Sequence, residues 1–263
     1  GEATGTAFTE TGDITYIITA SHVIGEALNN RDGIEVDGQY YLRLYDSEGH
    51  LAYGEVTALQ GGIPEQIMSG HYSDLAILEL VDSSHEDFEK VSDSDRWYDG
   101  DAEFSVEPYL LEEVRQAQQF TPDAGNYALV GYTDYGHTAT RSFGRYDHDQ
   151  NYLRVEAGDP ILIIPELGTD IEKGYSGAAV IDARSGTPVG IQSYAGQTTG
   201  VGAAMPMNEA LDLINNYVHM REINGYDVFT SYEDIRDHFD QRGEDLVDDN
   251  RWQPLSGPEP LTS

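Results

Sequence analysis

The sequence contains no cysteine, which excludes disulfides, thiolate nucleophiles and cysteine-based zinc sites and removes the usual indicator of redox compartment. Cations are scarce as well. Only 14 Lys+Arg stand against 48 Asp+Glu, a formal charge of −34, and the only lysines are Lys90 and Lys173. A nucleic-acid partner needs the opposite sign, so none is expected. Self-repulsion on this scale destabilises a compact chain unless salt screens it. A protein of a high-salt organism is therefore expected, working either in a salt-rich cytoplasm or in brine outside the cell. Long hydrophobic runs are missing too: residues 75–78 and 161–164 fall far short of the about 18 residues a membrane span needs. No charged-apolar-small leader pattern opens the chain, and its start at Gly1 without Met leaves processing, methionine removal and a tag remnant open.

What is present is mostly β. The 263 residues have room for one large β domain or two small ones. Short β-rich runs at 4–9, 13–19, 39–45, 51–59, 75–80, 102–106, 126–130, 138–145, 151–157, 178–181, 188–193 and 201–205 are separated by Gly, Asp, Asn and Pro. This spacing suits antiparallel sandwiches or barrels better than alternating strands and helices. Residues 82–101 turn polar and acidic and read as a connection between two β halves. A short helix is expected over 112–120. A longer one should follow Met205-Pro206, with Asn208 as its N-cap and Ala210, Leu211, Ile214 and Val218 at helical spacing. Residues 231–242 begin with a Ser cap and carry Ile235 and Phe239 four apart, the pattern of a further helix. Residues 249–263, with three prolines and little to bury, read as an extended or disordered tail.

Three elements can carry chemistry. His22 stands where the run 13–19 ends, between small residues (Ala20, Ser21) and an apolar turn (Val23, Ile24). Asp74 immediately precedes a wholly apolar strand, so its carboxylate would sit at a sheet edge where desolvation makes an ionised partner valuable. In KGYSGAAVI, residues 173–181, Gly174 and Gly177 bracket Ser176 in a tight turn that feeds a strand. That turn exposes the hydroxyl and directs neighbouring backbone N–H groups into one pocket, as an oxyanion hole requires. A nucleophile elbow of the α/β-hydrolase kind would run strand-turn-helix and precede its acid and base. Here the chain order is His, Asp, Ser, with separations of 52 and 102 residues.

The joint pattern resembles the trypsin/chymotrypsin-like serine proteases. Thr19-Ala20-Ser21-His22 is similar to that family's T-A-x-H, Asp74-Leu75-Ala76-Ile77-Leu78 to its D-[IL]-A-[LV]-[LI], and Gly174-Tyr175-Ser176-Gly177 to its G-[DN]-S-G. The opening Gly5-Thr6-Ala7-Phe8 and the stretch Gly202-Ala203-Ala204-Met205-Pro206-Met207-Asn208 resemble the HtrA-type branch, here without a PDZ domain. The resemblance spans about residues 4–218. It implies an all-β fold of two antiparallel six-stranded β-barrels with a C-terminal helix and acidic extension. Residues 1–95 would form the barrel carrying His22 and Asp74, residues 96–206 the barrel carrying Ser176, and residues 207–263 the helical extension and tail.

The implied activity is peptide-bond hydrolysis of a protein or peptide substrate, with no cofactor and no metal. Ser176 would be the nucleophile, His22 the base, Asp74 its orienting acid, and the N–H groups of Gly174 and Ser176 the oxyanion hole. Residues 189–193 are similar to the strand that pairs with substrate backbone; Ser193, Tyr194, Ala195 and Gly202 are expected to bind substrate together with Asp170, the small Ala195, Gly196 and Gly202 leaving the primary pocket open. Asp170 lies six residues before Ser176, where trypsin-like members place the acid of the primary pocket. That implies cleavage after Arg or Lys, with an apolar preference as the competing reading. Tyr175 replaces the Asp that pairs with a freshly cut N-terminus in trypsin-like members, so activation by that ion pair is not expected. An autoprocessing or catalytically silent binding module is the alternative function, and an esterase would use the same groups. The oligomeric state is not legible.

Overall fold

Residues 6–9 and 15–19, TAFT and TYIIT, are rich in β-branched and aromatic side chains that favour a half-buried pleated surface. They form strands β1 (Thr6–Thr9) and β2 (Thr15–Thr19), paired antiparallel. The structure is a computed structural model and describes residues 3–12, 14–46, 49–61, 74–81, 104–117, 126–133, 136–145, 152–154, 160–164, 174–182, 185–196, 201–224 and 231–240. The same sheet contains β3 (Ile34–Val36), β4 (Gln39–Tyr45), β5 (Leu51–Gly61), β6 (Asp74–Val81) and β7 (Tyr109–Leu110), in the order β3-β4-β5-β6-β2-β1-β7. Its pairs are antiparallel except β1 with β7. A second sheet holds β8 (Asn126–Thr133), β9 (Gly136–Arg145), β10 (Tyr152–Arg154), β11 (Pro160–Ile164), β12 (Ala179–Asp182), β13 (Pro188–Gly196) and β14 (Val201–Pro206). Its order is β10-β11-β14-β13-β12-β8-β9, antiparallel throughout.

The expected division into two β halves is therefore present, with differences in detail. Each sheet has seven strands, not six, and among the described residues neither order closes on itself. In the second sheet the added strand is β11, lying between β10 and β14; in the first the additions are two short edge pieces. β7 adds two residues parallel to β1, and β3 joins through the two-residue turn Asp37-Gly38. Both turn residues have positive φ (50° and 82°), the twist that suits a tight hairpin. The expected strand at 102–106 does not form over its described part, 104–106. There the Ser105 N–H donates to the carboxylate of Asp46 (3.0 Å), so that backbone group is unavailable to a ladder. Asp46 also accepts from the N–H and Nδ1 of His50 (2.9 and 2.8 Å), fixing the β4–β5 turn. The acidic connection 82–101 and the tail 249–263 lie outside the described residues.

Four helices complete the described structure, so the chain is mostly β with helices and not all-β. The apolar turn expected after His22 is a full helix, α1 (Ser21–Asn30), because Ile24 and Ala27 continue a buried stripe. It ends at Arg31, whose left-handed φ of 60° lets its N–H reach the carbonyls of Ala27 and Leu28, a common helix stop. The others are α2 (Leu111–Ala117), α3 (Met207–Asn224) and α4 (Tyr232–Asp240). Met207, ahead of the expected cap Asn208, already belongs to α3. Ser231 caps α4: its hydroxyl accepts from the N–H of Asp234, and Asp234 accepts from the N–H of Ser231, a reciprocal capping box.

The helices close the cores. α3 follows the second sheet in sequence yet packs its Met207, Ala210, Leu211 and Ile214 into the same cluster as Phe8, Ile18, Leu75 and Ile77 of the first. Tyr217 extends this contact by donating its hydroxyl to Glu79 of β6 (2.9 Å). Arg115 of α2 grips Glu10 with both terminal nitrogens and donates to Asn215 of α3 (2.8 Å). On the opposite face of the first sheet, Ile235 and Phe239 of α4 pack with Ile24, Tyr40 and Val56. Gly25 makes room for the Phe239 ring: a Cβ there would lie 3.1 Å from it.

Candidate active site

His22 is the second residue of α1, immediately beyond β2. Asp74 is the first residue of β6, and β2 pairs with β6 so that Thr19 faces Ala76. The register of two strands thus brings together residues 52 positions apart. The Asp74 carboxylate accepts from the backbone N–H of His22 (2.8 Å) through Oδ1 and from Nδ1 of its ring (2.7 Å) through Oδ2. Two contacts to one residue leave the ring little freedom to rotate.

Ser176 comes from the second half. It sits in a turn entered at Gly174 (φ 102°) and left at Gly177 (φ 87°), conformations that side chains strain to adopt. Ala178 N–H closes the turn on the carbonyl of Tyr175 (2.9 Å), and the chain then enters β12. Ser176 Oγ lies 2.9 Å from Nε2 of His22. An ionised carboxylate can only accept hydrogen bonds, so Nδ1 carries the ring proton and the Nε2 lone pair faces the serine hydroxyl. His22, Asp74 and Ser176 are joined end to end.

The electrostatics favour a basic imidazole. Burial by itself would push the His22 ring below its ordinary value of 6.5; the charge and hydrogen bond of Asp74, aided by the charge of Glu26, outweigh it and leave it raised. Burial likewise opposes ionisation of Asp74, but the charge and ring hydrogen bond of His22, then the Ser193 hydroxyl and the His22 N–H, hold it below 3.8. Asp74 is 3 % exposed, so this carboxylate keeps its charge only because donors surround it.

The remaining expected site residues fall into three groups. Gly174 and Ser176 share the turn, and among the described residues the N–H of neither donates to a protein acceptor. Ser193 is buried, and its hydroxyl donates to Oδ2 of Asp74. The side chain is thus engaged with the acid, while the expectation for this residue concerned pairing of its strand with substrate backbone. Tyr194 and Ala195 lie in β13, with Ala195 facing Gly202 of β14. β12 pairs only with residues 188–191 of β13, so the second edge of residues 194–196 carries no strand among the described residues. Asp170 and Lys173 lie outside the described residues. Tyr175 is 2 % exposed and packs with Leu129, Val180 and Ala204, so a core aromatic fills the position where trypsin-like members carry an acid. Among the described residues no group of His, Asp and Glu is arranged to hold a metal ion. No helix of the described residues is long and apolar enough to cross a membrane.

Two contributions escaped the sequence. Ser193 could not be paired with Asp74 across 119 positions from local pattern. Glu26 could have been, since it stands four residues after His22, on the same face once a helix is recognised.

The trypsin-like peptidase domain matches residues 3–191. Among solved structures, the serine endoprotease from Yersinia pestis is 18% identical, with a TM-score of 0.46, over 81% of this chain and 56% of its own. The MamO protease domain from Magnetospirillum magneticum, in its apo form, is 16% identical (TM-score 0.45; 80% of this chain, 86% of its own). Deg5 is 16% identical (TM-score 0.44; 81% and 82%). The chain thus spans little more than half the length of the Yersinia protein. No curated protein matches it. With residues 3–191 accounted for by that one domain, the chain belongs to the trypsin-like peptidase family.

Proposed function

We propose that this chain is a serine endopeptidase that hydrolyses peptide bonds through Ser176, His22 and Asp74 in a salt-rich medium. One observation carries the proposal: hydrogen bonds run without a break from the Ser176 hydroxyl through the His22 ring to a buried carboxylate (2.9 and 2.7 Å). Ser176 Oγ attacks the scissile carbonyl carbon as its proton passes to Nε2 of His22. The carbonyl electron pair moves to oxygen, and the N–H groups of Gly174 and Ser176 donate hydrogen bonds to that oxyanion, each donor contributing about 10²- to 10³-fold. Asp74 stabilises the imidazolium, which then protonates the leaving amine as the C–N bond breaks. Water, deprotonated by His22, hydrolyses the acyl-serine and restores the enzyme.

We further propose two barrel-like units meeting at this site, with the boundary expected at 95/96 moved beyond residue 117 because β7 pairs with β1 and Leu111 and Val114 of α2 pack with Phe8; the extension 207–263 follows. Substrate backbone would pair with the edge of residues 194–196 that carries no strand among the described residues. Asp170 would select Arg or Lys, and a peptide library with no such preference removes it from the pocket.

The decisive experiment treats the protein in molar KCl with a fluorophosphonate probe and with casein. Labelling at Ser176 and casein cleavage that Ser176→Ala abolishes are expected, and cleavage by that variant at the wild-type rate refutes the assignment. Labelling without turnover of added protein would favour self-processing. With a charge of −34, the melting temperature should rise from low to molar salt; a flat or falling curve removes the high-salt adaptation.

A further inference from the structure

The turn that carries Ser176 is held by a residue 172 positions away. Thr4, 4 % exposed and just ahead of β1, makes two contacts across to the second half and one within the first. Its N–H donates to the carbonyl of Ser176 (2.9 Å) and its hydroxyl to the carbonyl of Gly174 (2.7 Å). Its own carbonyl accepts from the hydroxyl of Thr19 (2.8 Å), the residue that ends β2 three positions before His22. Thr6 adds a fourth tie, from its hydroxyl to the carbonyl of Gly177 (3.2 Å).

The consequence follows from peptide planarity. Holding the carbonyls of Gly174, Tyr175 and Ser176 fixes three consecutive peptide planes, and the middle one carries the N–H of Ser176. The Tyr175 carbonyl is held from within the turn by Ala178; the other two are held by Thr4. Tyr175, the residue between the two carbonyls that Thr4 holds, is a core aromatic packed with Leu129, Val180 and Ala204. No space is left beside the knot: a Cβ on Gly177 would meet Thr19 Oγ1 and the Thr4 carbonyl at 2.1 Å, and one on Gly131 would lie 2.9 Å from Thr4 Oγ1.

We infer that Thr4 is the positioning residue of the nucleophile turn: through its hydroxyl and backbone it sets the Ser176 N–H of the oxyanion hole and the His22–Ser176 separation at once. This rests on the protease reading above and adds to it a control point outside the triad. Thr4→Val keeps the shape and the backbone contacts but frees the Gly174 carbonyl; Thr4→Ser keeps the hydroxyl.

Steady-state kinetics on the full chain in molar KCl, below the melting temperature of every variant, tests it. Thr4→Val should lower kcat by roughly ten- to a hundredfold, the scale of small misplacements at a reacting centre. KM should change little, and the acidic limb of the pH profile should stay in place because Asp74 and His22 are untouched. Thr4→Ser should restore the rate. Wild-type kcat in Thr4→Val, or equal loss in both variants, overturns the inference. Hydrogen exchange over residues 174–178 reads the clamp without any turnover and should be faster in Thr4→Val than in wild type; unchanged exchange also overturns it. A folded wild-type protein that neither labels nor cleaves would instead defeat the protease reading alone.

Discussion

Replacing Asp74 by Asn is the sharpest perturbation this site allows. The carboxylate accepts from three donors, the N–H and Nδ1 of His22 and the hydroxyl of Ser193. A carboxamide of the same shape has one oxygen to accept with and an NH2 that must face one of those donors. If the NH2 faces the ring, Nδ1 must become the acceptor and the proton moves to Nε2, directly opposite Ser176 Oγ at 2.9 Å. The base then has no lone pair for the serine proton, and no carboxylate stabilises the imidazolium. Loss of both effects lowers kcat on the order of 10⁴-fold, about 5.5 kcal/mol of barrier. The pH profile supplies an independent sign. Activity needs the neutral ring, so in the wild type kcat/KM rises with pH through a His22 value above 6.5. In Asp74→Asn burial, the largest influence on the ring, is no longer outweighed, and the acidic limb moves to lower pH. The assay is peptide hydrolysis from pH 4 to 9 in about molar KCl, where surface charge is screened. A variant within tenfold of wild-type kcat, or with an unmoved or raised limb, refutes the reasoning.

Two further substitutions test the fold around the site. Gly177→Ala forces a side chain into a φ of 87° and against Thr19 and Thr4; it should cost at least about 2 kcal/mol in urea unfolding, and a loss under about 1 kcal/mol contradicts the described contact. Phe239→Ala empties the space between α4 and Gly25 of α1, so stability should fall by about 3 kcal/mol; an unaltered urea midpoint would mean that α4 does not pack there. Stability also carries a pH signature. Asp74, lowered in the folded state, contributes stability that is present above the unfolded carboxylate value of about 3.9 and is lost as pH falls through the folded value. Asp74→Asn should therefore narrow its stability gap to wild type in acid, as read by thermal melts across pH; a constant gap argues against an ionised Asp74.

The strands that could be read from sequence are those with local signatures. β4 has the bounds expected for it, and the apolar runs around β6, β13 and β14 recur within a few residues of expectation, because alternation and turn residues act over a few positions. β11 and α1 were also written locally, in an apolar run and in the spacing of Ile24, Ala27 and Leu28, but short apolar stretches fit more than one element. β3 had its own signal in Asp37-Gly38, since that pair favours the tight hairpin turn. The failure at 104–106 is of another kind. Its hydrogen-bonding N–H is taken by Asp46, 59 positions away, and nothing in the local sequence reveals that.

The order and identity of His22, Asp74 and Ser176 were set by the amino-acid sequence, as were the glycines that permit the serine turn and the net charge of −34. Only the tertiary structure decided that Ser193 would serve the acid, that α3 would return to the first sheet, and that Thr4 would grip the nucleophile turn. Those contacts join residues 119 to 172 positions apart, and such pairings exist only once strand registers and packed faces have brought distant segments of the chain together.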